Sequence, residues 1–134
     1  MRTKFLVVMV AAVLLASAGR ALAHHSFSAE FDATKQFKMT GTVTKVEWMN
    51  PHTFFYIDVV DEKTKKVTNW AMERGSPNGL MRQGWTRNSM KVGDKVTVDG
   101  SLAKDGSPTG NARSVVLEST GKKLFAASSQ GSTP

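Results

Sequence analysis

The stretch SPNGLMRQGW at residues 76–85 is a helix signal in the middle of segments that otherwise predict strands. Ser76 suits an N-cap, Pro77 suits the first helical position, and Gly84 is placed to end the helix. The spacing predicts a helix of about two turns. This short helix constrains the fold, because any arrangement of the strands must explain why it lies where it does.

Two strands are predicted before the helix, on either side of a turn signal at Asn50-Pro51. In FKMTGTVTKVEW the apolar residues alternate and then change parity after Gly41, which indicates a β-bulge or strong coiling. HTFFYIDVV follows as a second strand, whose predicted inward residues are Phe55, Ile57 and Val59. The first strand is therefore expected to be long and coiled.

The remaining patterned segments predict one more strand before the helix and two after it. The polar DEKTKK is predicted to form a hairpin loop, and VTNWAME follows it as the third strand. After the helix, GDKVTVDGSLA and NARSVVLES are predicted as the fourth and fifth strands, joined by the turn-rich KDGSPTG. Three strands, a helix and two strands is the order of the OB-fold. We therefore predict an all-β fold with one short helix, an OB-fold-like five-stranded barrel. A plain antiparallel sandwich is the alternative, but it gives no reason for the helix.

The N-terminal residues have the pattern of a signal peptide. MRTK is positively charged, FLVVMVAAVLLASAG is apolar but short for a membrane span, and Ala21-Leu22-Ala23 is a small-residue cleavage site. Cleavage there leaves His24 first, whereas a competing site at Ala16-Ser17-Ala18 leaves Gly19 first. We expect an exported, periplasmic or secreted bacterial protein with no membrane anchor after cleavage.

Four segments are expected along the chain. They are a signal peptide at 1–23, an N-terminal arm at 24–36, the barrel at 37–119 and a flexible C-terminal tail at 120–134. Removal of the first segment lowers the formal charge from +7 to about +4, so charge gives little support for nucleic-acid binding. The chain has no cysteine, which excludes disulfides and thiolate metal sites.

The chain has three histidines, and two of them, His24 and His25, directly follow the expected cleavage site. A terminal His24 could chelate a metal through its amine and its ring, and His52, in the loop between the first two strands, could supply a further imidazole. Neutral imidazoles suit copper, zinc or nickel, and this arrangement resembles the copper site called a histidine brace. We therefore predict a metal site of His24, His25 and His52, with copper favoured. The alternative is that the paired histidines form a solvated tail and that His52 belongs only to its turn.

A softer set of ligands is also present in Trp48, Met49, Trp70 and Met72. A thioether binds Cu(I), and an indole face can lie against a cation. These residues resemble part of the site of small periplasmic OB-fold copper and silver chaperones, although NWAM at 69–72 supplies one methionine where that family has two. Trp70 and Met72 share one face of a strand, so they are interpreted first as core residues.

Other candidate groups are assigned plainer roles. The carboxylates Glu30, Asp32, Glu47 and Glu73 are scattered and are interpreted as surface charges. The aromatic residues Phe54 and Tyr56 could form an exposed patch that recognises a peptide, a glycan or a periplasmic protein partner without metal. That interaction module is the main alternative function, and export argues against a nucleic-acid ligand.

At the level of family, AHHSFSAEFD, the NPH at 50–52, the W-x-x-E at 70–73 and VGDKVTVDGSLAKDG resemble an uncharacterised family of small exported bacterial proteins. The resemblance implies a shared fold and location but no established activity. A binding or delivery role is expected rather than an enzyme. A copper oxidase of the brace type is a third possibility, for which one small barrel leaves little substrate surface.

Overall fold

The structure is a computed structural model that describes residues 27–127. Within this range the chain is mostly β, with two short helices and six strands. In chain order the elements are α1 (Phe27–Glu30), β1 (Phe31–Glu47), β2 (Phe54–Val60), β3 (Val67–Glu73), α2 (Pro77–Arg82), β4 (Lys95–Ala103), β5 (Thr109–Leu117) and β6 (Lys122–Phe125).

The strands form one sheet in the order β3-β2-β1-β4-β5-β6, with antiparallel neighbours. A further, parallel pairing joins β3 to β5, with Ala71 opposite Thr109 and Glu73 opposite Asn111. Each of the first five strands therefore pairs with at least two others. The pairing of β3 with β5 places the C-terminal end of β3, which carries Glu73, beside the start of β5.

The long first strand has the irregularity that the sequence predicts. The pairing of β1 with β2 shifts between Val43 and Lys45, where the inward parity changes from that of Gly41 and Val43 to that of Val46. Gly41 is required by close approach, because a Cβ atom there would lie 2.6 Å from the carbonyl oxygen of Asp58 on β2. The bulge turns the inward face of β1, so that Val43 is buried and Val46 packs against the same core.

The predicted helix is confirmed between β3 and β4. Ser76 caps it by accepting a hydrogen bond from the Gly79 amide at 3.2 Å, and Pro77 occupies the first turn. Leu80 is fully buried, whereas Met81 is 51% exposed, so Leu80 is the residue through which α2 joins the core. Gly84 has a φ of 93° just after the helix, a conformation that glycine adopts without steric cost.

The core contains the inward residues of the strands together with α2 and the segment that follows it. Phe55 and Ile57 are fully buried as predicted, whereas Val59 is half-buried at the edge of the core. The buried cluster consists of Val43, Phe55, Ile57, Met72, Leu80, Trp85, Met90, Val96, Val98, Ala112, Val115, Leu124 and Ala126. The indole of Trp85 donates a hydrogen bond to the Phe125 carbonyl at 2.6 Å, which ties this cluster to β6.

Two ordered regions extend beyond the five strands and one helix of the sequence-based prediction. Residues 27–36, expected to belong to an arm, form α1 and the start of β1, where Phe31 is 3% exposed and pairs with Ala103. Within the expected tail from residue 120, β6 pairs with β5 and Leu124 is 6% exposed. In both regions an apolar side chain is buried against a strand distant in sequence. The expected signal peptide at 1–23 lies outside the described residues.

Candidate functional site

The loop between β1 and β2 holds His52 half-exposed, with 36% of its side chain accessible. Its Nδ1 atom lies 2.8 Å from Oε1 of Glu73, a hydrogen-bond distance. The Glu73 side chain is only 9% exposed. An accessible imidazole is therefore held from behind by a buried carboxyl group.

The hairpin of β2 and β3 brings these two residues together. Phe54 pairs with Glu73 at the end of the ladder, and the pairing continues one step further because the Arg74 amide donates to the Thr53 carbonyl at 2.8 Å. The Thr53 amide and hydroxyl both donate to the Gly75 carbonyl, each at 3.1 Å, which fixes the start of β2. His52 precedes Thr53 and is thus diagonal to Glu73 across the hairpin, a separation that long side chains bridge.

Burial raises the pKa of Glu73 to about 7, and the nearby negative charge of Glu30 contributes in the same direction. The His52 ring opposes this effect, because an imidazole N–H that donates to the carboxyl group favours its ionised form. The 2.8 Å contact suits either arrangement of the shared proton: Nδ1–H donating to a carboxylate, or a carboxyl O–H donating to Nδ1. The pair thus retains its hydrogen bond whichever partner carries the proton.

Glu73 also lines a surface pocket of about 390 Å³. Its wall includes Ala29 and Glu30 from α1, Phe54 from β2, and Lys104 from the turn after β4. The Lys104 amide donates to the Glu30 carbonyl at 2.9 Å and its ammonium group donates to the Ser28 carbonyl, so α1 is attached to this turn. Ala29 and Glu30 of α1 therefore line the same pocket as Glu73.

Arg74, the next residue, lies on the opposite face of the chain and is 1% exposed. Its guanidinium carbon lies 4.8 Å from the ring centre of Trp85, 5.1 Å from that of Phe55 and 5.7 Å from that of Trp48. The Nε and Nη2 atoms are buried and have no hydrogen-bond partner within residues 27–127. Burial lowers the pKa of Arg74 to about 10, so the side chain is still a cation at neutral pH, held by aromatic faces rather than by an anion.

Of the three histidines predicted to bind metal, His52 lies in the loop where it was expected. His24 and His25 lie outside the described residues. Within residues 27–127, no group of three or more histidine, aspartate or glutamate side chains is placed to hold a metal ion.

The softer set of ligands is not gathered at one place. Met72 is fully buried in the core, Met49 is 47% exposed, and Trp70 packs against Phe37 with ring centres 6.4 Å apart. Trp48 lies over the Arg74 guanidinium. The interpretation of Met72 as a core residue is confirmed, and the arrangement gives no support to a methionine site for Cu(I) like that of the chaperones.

The second-strand aromatic residues do not form the exposed patch that the alternative function requires. Phe54 and Tyr56 are both half-buried. The Tyr56 hydroxyl donates to Glu47 at 3.1 Å and the Lys45 ammonium lies 5.3 Å from its ring centre, while Phe54 lines the pocket beside Glu73. The two aromatic residues therefore have different surroundings: Phe54 lines this pocket and Tyr56 does not.

Among the carboxylates interpreted as surface charges, Glu73 is the exception. Glu30 is exposed, and Asp32 and Glu47 are partly exposed; Asp32 accepts a hydrogen bond from the Thr34 amide at 2.9 Å. Glu73 is buried because α1 and the turn after β4 cover it. The signal for the contact between His52 and Glu73 is the DEKTKK loop. If these six residues form the hairpin loop, they fix which residues of β2 and β3 pair, and this register places His52 diagonal to Glu73.

The fold and the site together define a small β-protein in which a buried carboxyl group holds a half-exposed histidine. The chain belongs to a family of unknown function, DUF6152, which it matches over residues 11–113. No curated protein matches the chain. Neither helix in residues 27–127 has the length and apolar character that a membrane crossing requires.

Proposed function

We propose that this protein is an exported binding protein for a metal ion, with copper favoured, and that His24, His25 and His52 are the ligands. One observation carries the proposal: α1 lies against Glu73, and Glu73 holds His52 at 2.8 Å. His25 is two residues before Phe27, the first residue of α1. The Cα atoms of these two residues can therefore be at most about 7 Å apart. The proposal requires that this short connection bring the paired histidines to the His52 ring.

The proposed fold is an OB-fold-like five-stranded barrel. The pairing of β3 with β5 in addition to the antiparallel order supports it, as does the helix between β3 and β4. In such barrels the loop between the first two strands contributes to ligand binding. His52 belongs to that loop, which supports a binding role rather than a structural one.

Cleavage after Ala23 would create the first ligand. An internal His24 has an amide nitrogen, which is not an amine donor, whereas a terminal His24 has an amine with an ordinary pKa of about 7.7–8.0 that a metal can deprotonate. The amine and ring nitrogens of His24 and the imidazoles of His25 and His52 would give copper the ligand type it prefers. The proposed role is binding or delivery, without catalysis.

The test is a Cu(II) titration of four purified proteins: the mature chain starting at His24, the same chain with His52→Ala, the same chain with one extra glycine before His24, and a Glu62→Ala control. Glu62 is an exposed carboxylate in the β2–β3 hairpin loop. The mature chain and the control should bind more tightly than micromolar, and the other two at least about tenfold more weakly. Equal binding by all four would contradict the proposal, as would a mature chain that mass spectrometry shows to begin at Gly19.

The pocket beside Glu73 favours a second candidate, a module that binds a peptide, a glycan or a partner protein without metal. Phe54 provides an aromatic wall to this pocket, whereas Tyr56 bonds to Glu47 outside it. Recovery of a partner from periplasmic extract should then depend on Phe54 and not on the histidines. Tyr56→Phe is the matched control, and equal recovery with Phe54→Ala would reject this candidate.

A further inference from the structure

The Nδ1 atom of His52 is already engaged. It lies 2.8 Å from Oε1 of Glu73, and the carboxyl group is fixed by its burial at the end of β3. Because an imidazole nitrogen has one in-plane bonding position, which holds either a proton or a lone pair, a metal cannot bind Nδ1 while Nδ1 is hydrogen-bonded to Glu73. Nε2 is the ring nitrogen that remains for a ligand.

We propose that Glu73 is a positioning residue of the metal site: its carboxylate holds His52 in the Nδ1–H tautomer, so that Nε2 carries the lone pair that binds the metal. This inference rests on the proposed function. A neutral imidazole has one N–H, and the hydrogen bond of the other nitrogen decides which atom carries it. A carboxylate behind a metal-binding histidine fixes its tautomer and ring orientation and makes it a better donor.

The same geometry assigns different roles to the two side chains. Glu73 contacts the Nδ1 side of the ring, so a metal at Nε2 lies away from its carboxylate and Glu73 is not itself a ligand. The other donors of the proposed site are those of His24 and His25.

The first experiment reads the tautomer directly, in the metal-free mature protein labelled with ¹⁵N. Long-range ¹H–¹⁵N correlation at about pH 8, where an ordinary imidazole is neutral, identifies which His52 nitrogen carries the proton. The wild type should show Nδ1–H. Glu73→Gln should keep this form because its amide oxygen still accepts, and Glu73→Ala should lose it in favour of Nε2–H. Nε2–H in the wild type would overturn the inference.

The second experiment titrates Cu(II) into the same proteins. Loss of a carboxylate behind a metal-binding histidine typically weakens binding by about 10–100-fold, so Glu73→Ala should bind that much more weakly and Glu73→Gln should recover most of the loss. Glu62→Gln, at an exposed carboxylate, should change neither readout. Glu73→Gln also guards against misfolding of Glu73→Ala, since it retains the side-chain volume.

The outcomes separate the two proposals. If His52→Ala weakens copper binding but Glu73→Ala and Glu73→Gln bind like the wild type, His52 is a ligand and the role of Glu73 is overturned. If the wild type binds no copper, the proposed function fails and the positioning role fails with it. If Glu73→Ala both changes the tautomer and weakens binding while Glu73→Gln does neither, the inference is supported.

Discussion

Replacing Arg74 with methionine should leave the protein as stable as the wild type or slightly more stable, although Arg74 is among the largest fully buried side chains. Its Nε and Nη2 donors have no partner in the described part of the chain, and burial lowers its pKa to about 10. Methionine retains a long, unbranched side chain in the aromatic surroundings and removes the charge. The substitution therefore separates the electrostatic effect of Arg74 from its packing.

The magnitude follows from the pKa and the rings. The fall of the Arg74 pKa to about 10 from the ordinary arginine value corresponds to about 3.4 kcal/mol against the buried charge, at about 1.36 kcal/mol per pKa unit. The three rings offset about 2 kcal/mol of this by cation–π attraction. Arg74→Met should thus raise the free energy of unfolding by about 1 kcal/mol. Arg74→Ala should lower it by about 3 kcal/mol, because it leaves a cavity.

Urea unfolding, followed by tryptophan fluorescence and circular dichroism, measures both effects, with Arg87→Met as the control. Arg87 is exposed, and its replacement should change the free energy of unfolding by less than about 0.5 kcal/mol. The informative quantity is the gap of about 4 kcal/mol between the two Arg74 variants, which follows from the values above. If Arg74→Met is as destabilising as Arg74→Ala, the guanidinium stabilises the fold and the reasoning fails.

Three further substitutions test the fold and the site. Gly100→Ala should lower the free energy of unfolding by about 3 kcal/mol or more, because its Cβ would lie 1.9 Å from the Asn111 carbonyl oxygen. Gly79→Ala is the control and should change the free energy of unfolding by less than about 1 kcal/mol. Thermal unfolding compares the two variants. Trp85→Phe should cost about 1–2 kcal/mol and speed amide exchange in β6, because it removes the bond to the Phe125 carbonyl. Glu73 has a raised pKa, so its contribution to stability is present below pH 4.5 and is lost as the pH rises through about 7. Between these limits the free energy of unfolding of the wild type should fall by about 1–2 kcal/mol relative to that of Glu73→Gln. A constant difference between the two proteins in urea unfolding would refute this.

The parts of the fold that local chemistry determines could be predicted from the sequence. Ser76 and Pro77 mark the start of α2 because a cap and a first-turn proline act on the adjacent backbone. The parity change after Gly41 marks the bulge for the same reason, since alternation along one strand shows which face is inward. Both features depend only on residues within a few positions of each other.

The ordered ends of the domain could not be predicted in this way. Phe31 is buried because it pairs with Ala103, and Leu124 is buried because β6 pairs with β5. These partners lie outside the short windows that periodicity examines, and a four-residue strand such as β6 has too few residues for clear alternation. Local polarity alone therefore cannot predict these pairings.

The candidate site can be predicted from the sequence only in part. His52 can be recognised as a candidate from its loop and its residue type. Its contact with Glu73 depends on the register of the β2–β3 hairpin, and taking DEKTKK as the hairpin loop gives that register. The burial of Glu73 could not be inferred from the strand, because its covering comes from α1 and the turn after β4. Arg74 follows the last predicted strand residues, and nothing local indicates its aromatic surroundings.

Glu73 and Arg74 are adjacent in sequence and carry groups of opposite charge. Within residues 27–127, however, their side chains form no ion pair with each other. Successive side chains of an extended segment point to opposite faces, so Glu73 meets His52 and the pocket while Arg74 enters the aromatic core. Burial disfavours the charged form of each, and neither charge compensates the other. A small domain under selection for stability alone would gain from apolar residues here. Perturbed groups cluster at functional sites, and this pair adjoins a half-exposed histidine, so His52 and Glu73 are the residues with which binding experiments should begin.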